Sequence, residues 1–275
     1  MMRYIKLVNF EINRFSKIYL SLLLITLVSQ FAGVIIVTKS LLKDARDIMK
    51  EERLSEAAYI TNYGGIDFNH IANSLLFVGP IALSAVALIF YIFLIWYRDW
   101  FGKNTFIYRL LMLPTSRLSI YLSKATSIFL MVLGLIAFQI IILPMENALF
   151  NSNVPQALLN EMSISTITIA NPILSLIIPS TFTQFLLSYG IGLMIMSILF
   201  TAIMFERSFR IKGIIMGLLY CGIAAVLFLA PVLMEIGNFY FYPNELFGLM
   251  LAIGIILTGL SVWLGAWLLK NRVTV

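Results

Sequence analysis

Six long apolar runs constrain the fold of this chain more than any other feature. They cover residues 18–38, 75–97, 125–143, 182–205, 213–233 and 246–269. A helix needs roughly 20 residues to cross the hydrocarbon core of a bilayer, and each run is about that long. The strict alternation of apolar and polar residues that marks a membrane β-barrel is absent from these runs. The sequence therefore predicts an all-α integral membrane protein with six transmembrane helices.

The composition supports this fold class. Hydrophobic residues make up 61% of the 275 residues and charged residues only 12%, which is too little polar surface to cover a water-soluble globule. Neither an internal repeat nor a separate soluble segment is evident, so we expect one transmembrane domain over residues 1–275. The single histidine, His70, has no cysteine or second histidine near it, so we expect no metal site.

The distribution of Lys and Arg predicts the orientation. With the N-terminus in the cytoplasm, the inner segments hold 14 basic residues against three acids, and the outer segments hold five against ten. All five outer basic residues lie in the first outer loop, 39–74, which has as many as the inner stretch 98–124. The outer segments 144–181 and 234–245 contain no Lys or Arg, and this difference decides the predicted orientation. Both termini are predicted to be cytoplasmic, and the net charge of +6 does not indicate a nucleic-acid partner.

The connecting segments carry further predictions. Apolar residues recur at three- and four-residue steps over residues 3–17, which indicates an amphipathic helix in the inner interface, although a simple basic flank is the alternative. The loop 39–74 is expected to extend the first helix and to turn at Gly64 and Gly65.

Prolines punctuate the outer segment that follows the third run. Pro144 is expected to end the third transmembrane helix. The residues between Pro172 and Pro179 are too few to span a membrane and predict a short interfacial or re-entrant helix. The last run contains four glycines, Gly248, Gly254, Gly259 and Gly265, which indicate a packing face within the chain or between two copies.

The chemistry that is missing excludes several classes of protein. None of the six runs contains Asp, Glu, Lys, Arg or His, so proton-driven transport and membrane hydrolysis lack the groups they need. No GxxxxGK[ST] phosphate loop occurs, so ATP hydrolysis would need another polypeptide. Since catalytic motifs are also lacking, we expect no enzyme activity and no catalytic residue in this chain. Two glutamines within the runs, Gln139 and Gln184, are candidates for a cargo path.

The stretch 98–124, RDWFGKNTFIYRLLMLPTSRLSIYLSK, joins the second and third runs and combines five Lys or Arg with bulky apolar residues. A helix is expected from about Lys103 to Leu113, ended by Pro114. Such a helix can lie on lipid headgroups or insert into a groove on a cytoplasmic partner. The residues alone leave both interpretations open.

The order of residues in this stretch resembles the first cytoplasmic loop of ABC-2 type transporter permeases. The resemblance rests on Asp99, Gly102, Leu110, Leu111, the segment 113–117, Tyr121 and Lys124. The predicted topology also resembles that of this family. The shared features are six spans, cytoplasmic termini, an amphipathic N-terminal helix and the lack of an ATPase domain. The family usually has Glu in place of Asp99, and its first outer loop is often shorter than 39–74.

The resemblance implies a permease whose coupling helix sits in a cleft of a separate ABC ATPase subunit, which would bind ATP and Mg. A second permease copy or a paralogue would complete the transporter in the cell membrane. The residues implied in docking are Asp99, Gly102, Phe106, Tyr108, Arg109, Leu110, Pro114 and Arg117.

The spans themselves suggest the kind of cargo. They are rich in aromatic residues and Met and lack titratable groups, which favours export of a hydrophobic or amphipathic cargo such as an antimicrobial peptide or a drug. Two alternatives stay open: a membrane-bound sensing or immunity protein, and a carrier that coordinates sodium through backbone carbonyls.

Overall fold

The computed structural model describes residues 2–101, 107, 110, 112, 116–237 and 240–272. Ten helices account for most of these residues, and one isolated bridge pairs Ile66 with Leu159. The helices are Met2–Glu51 (α1), Glu56–Tyr63 (α2), Asn69–Ala72 (α3), Leu75–Trp100 (α4), Arg117–Asn153 (α5), Ile164–Ala170 (α6), Pro172–Ile177 (α7), Phe182–Phe209 (α8), Ile211–Ile236 (α9) and Pro243–Asn271 (α10).

Six helices of the described chain are long and apolar enough to cross a membrane: α1, α4, α5, α8, α9 and α10. Each contains one of the six apolar runs, so the predicted set of transmembrane helices is confirmed. The protein is a multi-pass helical membrane protein.

The first helix is longer than its apolar run. α1 is one continuous helix of 50 residues. Residues 3–17 are helical as predicted, but no break separates them from the span, because this stretch contains no Gly or Pro to interrupt it. Residues 39–51 continue the same helix, as expected for the start of the loop 39–74. The expected turn begins at Gly64, which ends α2 with a φ of 83°.

The predicted stop at Pro144 is wrong. α5 runs through this proline to Asn153 and is 37 residues long. A proline inside a helix loses one backbone hydrogen bond, and membrane helices tolerate the loss where packing compensates for it. Leu143 and Phe150 supply that packing, since both are buried.

A short helix follows Asn171, as predicted for the segment before Pro179. α7 has six residues and begins at Pro172. The Asn171 side chain caps it by accepting hydrogen bonds from the backbone N–H groups of Ile173 and Leu174, both at 3.0 Å. Caps of this kind satisfy donors that the first turn leaves without partners.

The chain divides into two compact units, although the sequence predicts one domain. Unit 1 contains residues 1–14, 88–130 and 185–275, and unit 2 contains residues 15–87 and 131–184. Four helices, α1, α4, α5 and α8, contribute residues to both units.

Unit 2 has an apolar core that includes residues of the segments 39–74 and 144–181, the two longest that are predicted to lie outside the membrane. The Phe68 ring packs edge-on against Phe77 and Phe150, with ring centroids 6.0 and 5.7 Å apart. Backbone hydrogen bonds join Ile66 to Leu158 (2.8 Å) and Asn160 to Ile66 (3.0 Å). The core is built from Val34, Ala45, Tyr59, Ile66, Phe68, Ile71, Ala72, Phe77, Leu143, Phe150, Val154, Leu158, Ile167 and Leu174. The segments 39–74 and 144–181 therefore fold against each other.

Unit 1 depends on two close helix crossings at glycines. A Cβ on Gly213 would overlap the backbone oxygen of Phe205, so α8 and α9 can cross there only without a side chain. A Cβ on Gly265 would lie 2.6 Å from Cε2 of Tyr121. The predicted glycine face of α10 thus packs inside unit 1 at Gly265, whereas Gly248 lies in open space within the described structure.

Candidate functional site

Asp99 and Lys124 stand at the two ends of the 98–124 stretch, and the structure pairs them. Lys124 Nζ lies 2.5 Å from Oδ2 of Asp99 and 2.6 Å from Oε1 of Glu11. It also donates a 2.9 Å hydrogen bond to the backbone oxygen of Ile95. Because an ammonium group has three donors, these three acceptors satisfy it fully. The three charged side chains are almost completely buried.

Two arginines complete this ion network, which we define as Glu11, Arg14, Arg98, Asp99 and Lys124. Arg14 Nη1 lies 2.6 Å from Oδ1 of Asp99, and Arg98 Nη2 lies 3.1 Å from Oε2 of Glu11. Both arginines are partly exposed, with 24% and 29% of their side-chain surfaces accessible. Three cations and two carboxylates leave the network with a formal charge of +1.

Three helices of unit 1 supply the ion network. Glu11 and Arg14 are three residues apart on α1 and therefore share a helix face. Arg98 and Asp99 lie in the last turn of α4, which ends at Trp100, and Lys124 lies two turns into α5. Removing one partner of a buried ion pair leaves an uncompensated charge and costs about 3–5 kcal/mol. The network therefore fixes the ends of α4 and α5 against the start of α1.

Aromatic side chains extend these contacts to α8. Lys124 Nζ lies 5.1 Å from the ring centroid of Trp96, within the range of a cation–π interaction. Trp96 packs edge-on against Phe200, with centroids 5.3 Å apart. Tyr121 contacts both rings and donates a 3.0 Å hydrogen bond to the backbone oxygen of Ser197.

The described residues within the stretch pack partly inward. Ile107 and Leu110 form a buried cluster with Ile120, against Leu7 and Trp100. Leu110, predicted to be a docking residue, is only 4% exposed, so its side chain packs inward.

Two apolar side chains near Leu110 do face outward. Phe101 is 69% exposed and Met112 is 71% exposed. With Leu118, which is 41% exposed, they are the described apolar side chains of the stretch that a partner could contact directly.

Arg117 ties the far end of the stretch to the last helix. Its Nη1 donates hydrogen bonds to the backbone oxygens of Leu269 and Lys270, the second at 3.2 Å. Carbonyl groups in the last turn of a helix lack intrahelical partners, and a basic side chain can satisfy them. Arg117 thus caps the C-terminus of α10.

Of the other residues predicted to take part in docking, one is buried and five lie outside the described part of the chain. Asp99 is buried inside the ion network, so it contributes to the position of the stretch rather than to its surface. Five docking residues, Gly102, Phe106, Tyr108, Arg109 and Pro114, lie outside the described residues.

The two glutamines have different surroundings. Gln139 is buried in unit 2 and accepts a 3.2 Å hydrogen bond from Nε2 of Gln30. Gln184 lies in the first turn of α8, where its side chain contacts Ser180 and donates to the backbone oxygen of Ser175 at 3.3 Å. Gln139 thus joins α1 to α5, and Gln184 fastens the start of α8.

The sequence did not reveal the roles of Glu11, Arg14 and Lys124. A signal was present, because only three acids lie in the predicted inner segments and two of them, Glu11 and Asp99, are the network carboxylates. Pairing them required knowing that α1, α4 and α5 come together.

The fold and the site define a multi-pass helical membrane protein whose 98–124 stretch is held at both ends by charged side chains. Among the residues the structure describes, no group of three or more His, Cys, Asp or Glu could hold a metal ion. Comparison of the chain with family models, curated proteins and solved structures found no match.

Proposed function

We propose that this chain is the membrane-spanning subunit of an ATP-driven exporter and that the 98–124 stretch is its coupling element. The observation that carries the proposal is the double pairing of Lys124 with Asp99 and Glu11. A coupling element must pass a push from a cytoplasmic subunit to the transmembrane helices. Buried ion pairs at both ends of the stretch provide such a connection, since they resist separation from α1, α4 and α5.

The route of transmission follows the contacts. A displacement of the stretch pulls on Asp99 and Lys124, and through them on Glu11 in α1. The rings of Trp96 and Phe200 carry the same displacement to α8. Arg117 extends the route to α10, because it donates hydrogen bonds to the backbone oxygens of Leu269 and Lys270. Small rigid-body shifts of packed helices are a common form of switching in proteins.

The surface that docks onto the cytoplasmic subunit includes Phe101 and Met112. Contiguous exposed apolar patches, unlike single exposed side chains, often mark interaction sites. These two residues join the predicted anchors Phe106 and Tyr108, with Arg109 as a polar partner. Leu110 supports the surface from beneath, since it packs in the cluster with Ile107 and Ile120.

The rest of the assembly follows from the same proposal. Two permease chains, identical or paralogous, pair with two ABC ATPase subunits in the cell membrane, with the termini and the 98–124 stretch on the cytoplasmic side. ATP and Mg bind to the ATPase subunits, and this chain performs no catalysis. The lack of charged residues in the six apolar runs supports a hydrophobic or amphipathic cargo, such as an antimicrobial peptide or a drug.

Affinity purification from membranes of the source cells tests the proposal. We expect the wild-type chain to bring down a protein that has a GxxxxGK[ST] loop and hydrolyses ATP. Met112→Asp places a charge on the exposed docking surface and should abolish this association. Tyr240→Asp is the matched control, because Tyr240 is 91% exposed and lies in the predicted outer segment 234–245.

Each result is decisive. Loss of the ATPase with Met112→Asp and retention with Tyr240→Asp support the proposal. A wild-type chain that purifies without an ATP-binding protein, and that moves cargo into ATP-free proteoliposomes, contradicts it.

A further inference from the structure

Glu146 is a buried carboxyl group that the proposed function does not use. It lies in α5 within unit 2 and is fully buried. Neither Oε1 nor Oε2 has a hydrogen-bond partner among the described residues. A bare buried carboxylate is costly, because burial removes its hydration and nothing replaces it. The charge must therefore be absent or neutralised.

The apolar core of unit 2 surrounds this carboxyl group. Leu143 and Phe150 lie three residues before and four residues after Glu146, so all three share one face of α5. Leu143 and Phe150 both belong to the core of unit 2, and Phe150 packs against Phe68. Glu146 thus enters the same apolar environment as its neighbours on that face.

Thr38 of α1 lies at the same level as Glu146. α1 and α5 run parallel in unit 2, since Tyr19 bonds to Met131 (3.1 Å) and Gln30 to Gln139 (3.2 Å). Thr38 is eight residues beyond Gln30, and Glu146 is seven residues beyond Gln139. Because an α-helix rises about 1.5 Å per residue, Thr38 and Glu146 lie at nearly the same height along the two parallel helices. Thr38 is also buried, and its Oγ1 has no partner in the described structure.

No ion pair among the described residues neutralises Glu146. The elements that share its core carry ionisable groups. Tyr59 is buried in that core and stacks on Tyr63, with ring centroids 5.3 Å apart, and the others are solvent-exposed or paired elsewhere. His70, for example, pairs with Asp67 at 2.9 Å. The groups concerned are Lys39, Lys43, Asp44, Arg46, Asp47, Lys50 and Glu51 on α1, Glu52 and Arg53 after it, Glu56, Tyr59 and Tyr63 on α2, Asp67 and His70 around α3, and Glu161 before α6.

We propose that Glu146 is a proton-binding site, held as a neutral carboxylic acid with the Thr38 hydroxyl as its hydrogen-bond acceptor. The carboxylate takes up one proton to form the acid, and its O–H then donates to Oγ1 of Thr38. A metal cation fits less well, because Ca²⁺ takes about six to eight oxygen ligands and, among the described residues, no group of three or more His, Cys, Asp or Glu could hold a metal ion.

The site makes unit 2 sensitive to pH. Release of the proton would leave an uncompensated charge in the core formed by α1, α5 and the segments 39–74 and 144–181. That part of unit 2 should loosen as pH rises, since the unfolded chain holds no such proton at neutral pH. This inference stands independently of any coupling to ATP.

Infrared spectroscopy of the purified chain in detergent tests the proposal. At neutral pH we expect the carbonyl stretch of a protonated carboxylic acid, and this band should be absent from Glu146→Gln. Glu146→Leu should also lack the band, and it serves as the second variant if Glu146→Gln does not fold, because leucine keeps the site apolar. Glu161→Gln is the matched control, because Glu161 is an exposed acid of the same unit, and the band should persist there. A band unchanged by both Glu146 substitutions, or no band at neutral pH, overturns the proposal.

Thermal unfolding over a pH series gives a second, independent reading. The melting temperature of the wild type should fall as pH rises through neutrality, and that fall should be smaller in Glu146→Leu. Repeating the series with Na⁺ replaced by choline distinguishes a proton from a metal ion. A melting temperature that depends on Na⁺ in the wild type and not in Glu146→Leu would assign the site to sodium and overturn the proposal.

Discussion

Lys124 Nζ lies 2.5 Å from Oδ2 of Asp99, so the two ends of the 98–124 stretch meet inside unit 1. Glu11 accepts from the same ammonium group at 2.6 Å and adds the start of α1. Three segments that are far apart in sequence therefore share one buried cation. The interface of the stretch with the membrane helices is electrostatic at its ends and apolar around Ile107 and Leu110.

Lys124→Met tests the ion network. The substitution leaves the buried carboxylates of Glu11 and Asp99 without their shared cation, and we expect a loss of about 3–5 kcal/mol in unfolding free energy. Lys43→Met is the control, since Lys43 is exposed on α1 and should change stability by less than about 0.5 kcal/mol. Thermal unfolding in detergent measures both.

A triple variant separates the effect of unpaired charge in the ion network from the effect of changed side-chain shape. Lys124→Met combined with Glu11→Gln and Asp99→Asn removes both bare carboxylates, so it should recover part of the stability that Lys124→Met loses. Equal melting temperatures for Lys124→Met and the wild type would show that the network contributes nothing to the fold.

Gly213→Ala tests the crossing of α8 and α9. An added Cβ overlaps the backbone oxygen of Phe205, so the helices must separate and we expect destabilisation of about 1–3 kcal/mol. Gly222→Ala in the same helix meets no described atom within 4 Å and should be neutral or stabilising by up to about 1 kcal/mol. Chemical or thermal unfolding of the two variants compares them, and the same sign for both would contradict the close crossing.

Asn171→Ala tests the link between α7 and the residues around α3. The side chain of Asn171 caps α7 and donates a 3.0 Å hydrogen bond to the backbone oxygen of Ala72. We expect a loss of about 1–3 kcal/mol, because a buried acceptor and two helix donors lose their partner. Proteolysis within unit 2 should become faster, whereas Asn160→Ala, at an exposed side chain, should leave the rate unchanged.

The transmembrane helices could be predicted because their signal is local. A run of about 20 apolar residues specifies a helix in lipid by itself, and all six runs fall within the observed helices. The start of α8 at Phe182 and the short helix after Asn171 were also predictable, since caps and prolines act within a few residues. Pro144 misled the prediction because packing of Leu143 and Phe150, which is not local, offsets its effect.

The candidate site was only half predictable, for a related reason. The 98–124 stretch was singled out from its own residues, and Arg117 within it bonds to the backbone oxygens of Leu269 and Lys270. The ion network could not be found in this way, because Glu11 and Lys124 are 113 residues apart and only the packing of α1 against α5 brings them together. Leu110 shows a second limit of sequence analysis, since an apolar pattern can predict a helix without telling which of its faces packs against the rest of the protein.

Site-specific cross-linking from position 112 tests the central claim most directly. A photoreactive amino acid at Met112, which is 71% exposed, should form an adduct with a protein that binds ATP when membranes of the source cells are illuminated. The same probe at Tyr240 should give no such adduct. Adducts with lipid alone at position 112, or an ATP-binding protein captured equally from position 240, would contradict the assignment of the 98–124 stretch as the coupling element.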